Sequence, residues 1–316
     1  MMRVLVLAAM LVTSVAVADE GGTSFWLPGN FSSLAAVPTD PGWALPVINY
    51  YSSANAGADR TFIRGDRVSA GVRAQGDFLF LSPTYTFATP LAGAQASISV
   101  TSAIGYVNAS ADASLRSPNG AAVAGSQSDS RMGFSDLYPT ATLKWNHGVH
   151  NFMTYAAAEV PVGTYDKTRL ANIGLNHWAI DGGVGYTYFN EKSGNEFSSV
   201  LGLTYNFENH ATHYRNGNDL HLDLAASHFF LPTFHAGLVG YFYQQLTGDS
   251  GSGAILGDFK SRVAGIGPQA GWFFNVGKRK WYANIRGYYE FAAQNRPYGW
   301  NLWLTLAIPL SEPAAP

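Results

Sequence analysis

Cysteine is absent from the 316-residue chain, so neither a disulfide framework nor a thiolate site supports this fold. Charge is scarce: 13% of residues are Asp, Glu, Lys or Arg, about half the usual share of a soluble domain. The formal net charge is -2, so no basic excess recommends nucleic acid as a partner. Beyond the N-terminus no apolar run reaches the roughly twenty residues that a membrane-spanning helix needs. What is abundant instead is aromatic and turn-forming: 8 Trp, 17 Tyr, 19 Phe and 34 Gly. Short strands of alternating character, joined by glycine-containing turns, produce this average, because every apolar residue is offset by a polar neighbour.

The first eighteen residues read as a secretory signal. Met1-Met2-Arg3 is a short basic start, Val4 to Val17 is an apolar core, and Ala16-Val17-Ala18 offers small residues for cleavage before Asp19. An exported chain with a membrane-facing pattern but no spanning helix points to a barrel. Only helices and closed barrels satisfy every backbone group in lipid.

The pattern is clearest at the end of the chain. In 280–291, Trp281, Ala283, Ile285, Tyr289 and Phe291 share one face, while Tyr282, Asn284, Arg286, Tyr288 and Glu290 share the other. In 300–310, Trp300, Leu302, Leu304, Leu306, Ile308 and Leu310 oppose Asn301 and Thr305. A side-chain period of two is the signature of a strand. An arginine and a glutamate at mid-strand, opposite an apolar face edged with tryptophan and tyrosine, suit a wet lumen inside and lipid outside.

About twelve such strands can be read: 44–53, 77–88, 94–106, 136–146, 150–160, 178–189, 197–207, 220–228, 233–246, 263–275 and the final pair. Short turns (89–93, 146–148, 191–195, 231–232, 277–279) alternate with longer links (54–76, 108–133, 161–177, 209–219, 247–262). This alternation matches periplasmic turns and extracellular loops, and it predicts that both termini lie in the periplasm. The expected architecture is all-β: a transmembrane antiparallel up-and-down barrel over 43–310, whose last strand pairs with its first. A signal peptide (1–18), an N-terminal segment (19–42) and a short tail (311–316) complete the division. The segment does not alternate. It is either a periplasmic tail or a plug, and Phe25, Trp26, Leu27 and Phe31 favour packing against the barrel.

Through its middle the chain resembles a known family. The residues concerned are Asp136-Leu137-Tyr138-Pro139, Glu159-Val160-Pro161-Val162-Gly163-Thr164-Tyr165-Asp166 and Asn172-Ile173-Gly174-Leu175-Asn176-His177-Trp178. Gly185-Tyr186-Thr187-Tyr188, Asn206-Phe207-Glu208-Asn209, Tyr214-Arg215-Asn216-Gly217-Asn218 and Gly237-Leu238-Val239-Gly240-Tyr241 continue the match, with Gly21-Gly22 to Pro28-Gly29 near the mature start. It is similar to the outer-membrane proteins and transporters named for the MetA-pathway of phenol degradation. The resemblance implies an outer-membrane barrel associated with uptake of aromatic or other hydrophobic compounds, and it carries over no catalytic residue. The chain departs from many barrels by ending its last strand at Leu310 instead of at an aromatic.

Period-two faces nominate lumen residues: Asp136, Lys144, Glu159, Asp181, Glu208, Asp223, Arg286 and Glu290 among charges, and Tyr138, Tyr155, Tyr241 and Trp303 among aromatics, with Phe78, Phe80, Tyr243, Tyr282 and Tyr288 beside them. Inward charges are read either as paired wall braces or as an acid-rich lining that disfavours anions. Arg286 and Glu290 lie four apart on one face, so each is expected to meet a charge on a neighbouring strand. Inward aromatics either fill space or form a greasy path. Tyr165, Asp166, Lys167 and Arg169 mark a loop that is either a packed surface motif, with Asp166 meeting Lys167 or Arg169, or a constriction over the mouth.

His210, His213, His221 and Asp223 lack the converging geometry of a zinc site, and no Gly-x-Ser-x-Gly signature stands out. No cofactor, metal or catalytic group is expected. The expected partners are outer-membrane lipid and a small hydrophobic or aromatic solute; oligomeric state is left open. Three functions follow in order: a passive channel in the bacterial outer membrane, a structural or partner-binding barrel, and a lipid hydrolase or acyltransferase.

Overall fold

The computed structural model describes residues 15–16, 20, 24–56, 60–64, 67–116, 122–255 and 257–311. The leader, apart from Val15 and Ala16, and the tail beyond 311 lie outside the described residues. Twelve antiparallel strands form a closed barrel. They are β1 (Gly42–Asn55), β2 (Arg73–Leu81, resumed at Thr84–Thr86), β3 (Gln95–Arg116), β4 (Ala122–Phe134, resumed at Tyr138–His147), β5 (His150–Glu159) and β6 (Ala179–Asn190). After these come β7 (Asn195–Asn206), β8 (Asp219–Leu231), β9 (Phe234–Gln245), β10 (Arg262–Val276), β11 (Arg279–Gln294) and β12 (Tyr298–Pro309). Ring closure runs from Tyr298↔Asn55 to Pro309↔Ala44, so no strand edge is left unpaired at the seam between first and last strands. A small separate sheet joins Arg60–Arg64, Arg67–Ala70 and Val15–Ala16.

Alternation decides which way each side chain faces. Leu203, Leu238, Ile266 and Leu304 are exposed on the outside, whereas Tyr241, Tyr243 and Trp303 are buried inside. Trp272 and Phe274 near the short-turn end, with Trp178, Phe207 and Trp300 near the long-loop end, are exposed aromatics at the two heights where girdles belong. No described helix is long and apolar enough to cross a membrane, and the strands make the crossing.

Two strands are interrupted, and both interruptions matter. In β2, Pro83 cannot donate to the ladder, and the strand restarts one residue later against β1 and β3. In β4, Ile104↔Phe134 and Thr101↔Tyr138 bracket two residues of β3 but three of β4. Ser135, Asp136 and Leu137 therefore form a bulge, which bends the strand and re-aims a side chain. Above it, β3 and the first piece of β4 form a long hairpin where a loop (108–133) was expected. On β3 the inward face stays apolar through Val107, Ala109 and Ala111, but the outward face turns from Ile104 and Tyr106 to Asn108 and Ser110, because the hairpin rises beyond the belt that requires an apolar exterior.

Candidate functional site

The lumen is not empty. Residues 24–41 run through it, and the direction is the reverse of the expected one. Thr39 meets Gln95 near the short-turn end, where its N–H donates to Oε1 at 2.8 Å. Glu20, at the other end, accepts from Asn209 Nδ2 at 2.9 Å and donates its own N–H to Asn216 Oδ1 at 2.9 Å, both in a long loop. The expectation that the N-terminus stays with the short turns is thus corrected. Loop lengths record how strands connect; they say nothing of a segment that precedes the first strand and passes back up the interior.

The threaded segment is held chiefly through its backbone. Asp223 on β8 accepts the N–H groups of Gly29 (2.8 Å) and Phe31 (3.0 Å). From beyond β9 and β10 on the same side of the ring, Arg286 on β11 donates to the carbonyls of Gly29 and Asn30, each at 3.2 Å, while its guanidinium lies 4.7 Å over the Trp303 ring. One peptide turn is therefore bracketed by an anion and a cation. Gly29 allows this: its φ is +87°, and a Cβ there would sit 2.9 Å from the Tyr288 ring. Further down, Glu196 accepts from the Ser33 hydroxyl (2.6 Å) and the Leu34 N–H (3.0 Å). Thr187 accepts the Ala36 N–H, and Lys144 donates to the Val37 carbonyl at 3.2 Å. Such charge-assisted bonds are stronger than neutral ones and suit a peptide lying in a lumen.

Apolar groups complete the fit. Trp26 stacks on His221 with 3.7 Å between ring centroids, and His221 Nε2 lies 2.9 Å from Asp181 Oδ2. Phe25 and Phe31 pack toward Tyr138 and Tyr155, and Leu27 against the cluster around Tyr50 and Trp303.

The charged candidates divide by position. Asp136, Lys144, Glu159, Asp181, Asp223, Arg286 and Glu290 face inward or are buried, as do Tyr138, Tyr155, Tyr241 and Trp303. Glu208 does not: it lies past the end of β7, where its carboxylate meets His213 at 3.0 Å in the outer loop. Arg286 does not meet a charge on an adjacent strand; its partners are the threaded carbonyls, Asn284 and Thr305. Glu290 accepts from the Tyr241 hydroxyl at 2.7 Å and the Gly299 N–H at 2.8 Å. Arg286 is drawn to the segment between the walls, whereas Glu290 meets uncharged donors of β9 and β12 in place of a charge.

The loop 161–178 folds over the mouth. Asp136, aimed by the bulge, accepts the N–H groups of Gly163 (2.7 Å) and Leu175 (2.6 Å) and so ties both limbs of the loop. Leu170, Ala171 and Ile173 bury themselves against Val72, Val107 and Ala109 on the inner faces of β2 and β3. The expected pairing of Asp166 with Lys167 or Arg169 is not what forms. Asp166 accepts from the N–H and hydroxyl of Thr168, Lys167 donates to the Ala211 carbonyl, and Arg169 pairs with Asp129. The Asp129 carboxyl also accepts the Ala171 N–H, and Arg169 holds its pKa down to about 2. Tyr165 reaches inward to Glu20 and Asn209.

Between this loop, the threaded segment and the β1–β3 wall lies a cavity of about 180 Å3. Tyr50, Phe78, Val107, Trp26 and Ile173 make much of its lining, with Glu290, Arg296 and His177 at its edges. Sequence reasoning did not nominate Glu196 or Tyr50, though it did name Phe78, Trp26 and Glu290 of the cavity lining. Glu196 shares the inward period of Ser198, which is the signal that could have found it. Among the described residues, no three His, Cys, Asp or Glu side chains are grouped to hold a metal.

Closed strands and twin aromatic levels define an outer-membrane β-barrel, here with an occupied lumen. Residues 57–306 match the family described as "Putative MetA-pathway of phenol degradation", and the chain belongs to it. No curated protein matches the sequence. Among solved structures, it is similar to the COG4313 outer membrane channel from Pseudomonas putida F1, with 16% identity, a TM-score of 0.69 and coverage of 90% of this chain and 99% of that one. A FadL homologue from Pseudomonas aeruginosa matches at 9% identity and a TM-score of 0.43, over 90% and 95% of the two chains. The transport unit of the autotransporter AIDA-I from Escherichia coli matches at 9% and 0.42, over 89% and 93%.

Proposed function

We propose that this protein is a passive outer-membrane channel for small hydrophobic or aromatic compounds. The observation that carries this reading is the cavity: an aromatic-sided chamber at the long-loop end, lined by strands β1 to β3, β11 and β12, a folded loop and the top of the threaded segment. Ligand sites are mostly apolar with a few polar groups, and this chamber has that composition. Below it the threaded segment blocks an axial path, so passage to the short-turn end requires that segment to move. The acids of the lumen take a role different from simple cation selection, since Asp223 and Glu196 bind the segment's N–H groups. Release of the segment would free both carboxylates, and the open channel would then disfavour anions.

A second reading, a structural or partner-binding barrel, is favoured by the same threaded segment, whose many anchors suit a permanent filling. Liposome uptake separates the two. With the full chain, radiolabelled toluene is expected to enter faster than into protein-free vesicles while labelled sucrose does not. Removal of residues 19–41 is expected to admit both. No protein-dependent toluene entry in either case would leave the structural reading standing.

A further inference from the structure

One aromatic side chain in the cavity is shaped by the glycines around it. Phe78 on β2 points inward, and its cross-strand partner on β3 is Gly105. A Cβ on Gly105 would lie 2.6 Å from Cε1 of the Phe78 ring, closer than real Cβ atoms approach. A Cβ on Gly76, two residues before Phe78 on the same face, would lie 2.7 Å from its Cε2. The ring therefore spreads over two adjacent glycines, one on each strand, and lies along the wall instead of standing out into the lumen. The rest of that wall is also small, with Ser52 and Ala54 on β1 and Ala74 on β2 lining the same cavity.

These residues do opposite things to a ligand. The small ones make room, and the flattened ring supplies an aromatic surface for whatever occupies it. Tyr50 stands 6.4 Å away from Phe78 between centroids, at the same cavity wall. The volume, about 180 Å3, is comparable with the ~150 Å3 apolar cavity that accommodates benzene.

Resting on the channel reading above, we infer that Phe78, laid flat by Gly76 and Gly105, is the stacking platform of a binding site for one uncharged aromatic ring. Phe78 and the two glycines then set specificity. The platform favours a planar aromatic over a saturated ring of equal size, through offset or edge contacts.

The test uses the full chain in lipid nanodiscs, with binding followed by saturation-transfer NMR of two water-soluble probes, phenol and cyclohexanol. Wild-type protein is expected to bind phenol saturably and cyclohexanol about threefold or more weakly. Phe78→Ala should erase the preference for phenol over cyclohexanol. Gly105→Ala should push the ring into the cavity and weaken phenol about tenfold. If that variant does not fold, as read from its heat-dependent gel mobility, Phe78→Ala alone decides. Equal binding of both probes by wild type, or an unchanged probe order in Phe78→Ala, would overturn the platform. Phenol flux into liposomes, measured in parallel, separates the two claims. Selective binding without flux removes the channel reading and leaves the site; flux with an unchanged probe order in Phe78→Ala does the reverse.

Discussion

A single buried carboxylate can position a peptide when its two oxygens point at two N–H groups, as Asp223 does at Gly29 and Phe31. Hydrogen bonds to a charged group are worth roughly 1.5–3 kcal/mol each, so Asp223→Ala should loosen the threaded turn by a few kcal/mol. The expected outcome in planar bilayers is more frequent and longer conducting events than in wild type, with Glu208→Ala, which touches only the outer loop, leaving the record unchanged. A different residue governs the outer loop under acid. Arg169 lowers the Asp129 pKa from 3.8 to about 2, so this contact contributes stability above the unfolded value and loses it as pH falls through the folded one. Limited pepsin digestion should accordingly begin to cut near Leu170 between pH 4 and pH 2. In Arg169→Ala the same cleavage should already be present at pH 4.

At the scale of elements, the β4 bulge links wall and loop. Three residues opposite two turn Asp136 away from the ladder and toward the amides of Gly163 and Leu175. Deleting Leu137 would remove the extra residue, leaving the residues beyond it in their present register and faces while returning Asp136 to the regular ladder. Such a variant is expected to keep the heat-resistant folded band but to raise hydrogen exchange at Gly163 and Leu175. Asp136→Asn should fold and likewise raise hydrogen exchange at Gly163 and Leu175, the two amides it holds. Much of this was legible beforehand and some was not. Strand positions, inward aromatics and the plug residues Phe25, Trp26, Leu27 and Phe31 follow from alternation and its absence. The bulge and the Arg169–Asp129 pair do not, because each depends on residues far apart in the chain; the extended β3–β4 hairpin escaped notice because its alternating residues, such as Ala109 and Ala111, are too small to give a strong apolar signal.

For the whole molecule, lipid outside and a packed lumen inside reverse the usual tolerance of a wall. Leu304, exposed on the outer face, should tolerate other apolar residues, while Leu304→Arg should cost about 2–4 kcal/mol if it lies at mid-membrane. Denaturant titration in lipid vesicles measures that difference; a loss below about 0.5 kcal/mol would place Leu304 away from the hydrocarbon. The mirror change, Trp303→Leu, keeps the wall apolar yet removes the ring beneath Arg286. It is expected to affect conductance more than stability.

Period-two alternation, aromatic edges and the absence of a spanning helix were by themselves enough to determine a closed outer-membrane barrel of twelve strands, because a strand in lipid must obey that pattern locally, residue by residue. What the tertiary structure alone decided is the inside. The direction of the N-terminal segment, the Asp223–Arg286 bracket, the loop tied by Asp136 and the glycine-backed Phe78 all arise where three or more distant segments meet. No local pattern encodes such a meeting. It depends on register, on a one-residue bulge and on which polar backbone groups need partners once the barrel has closed.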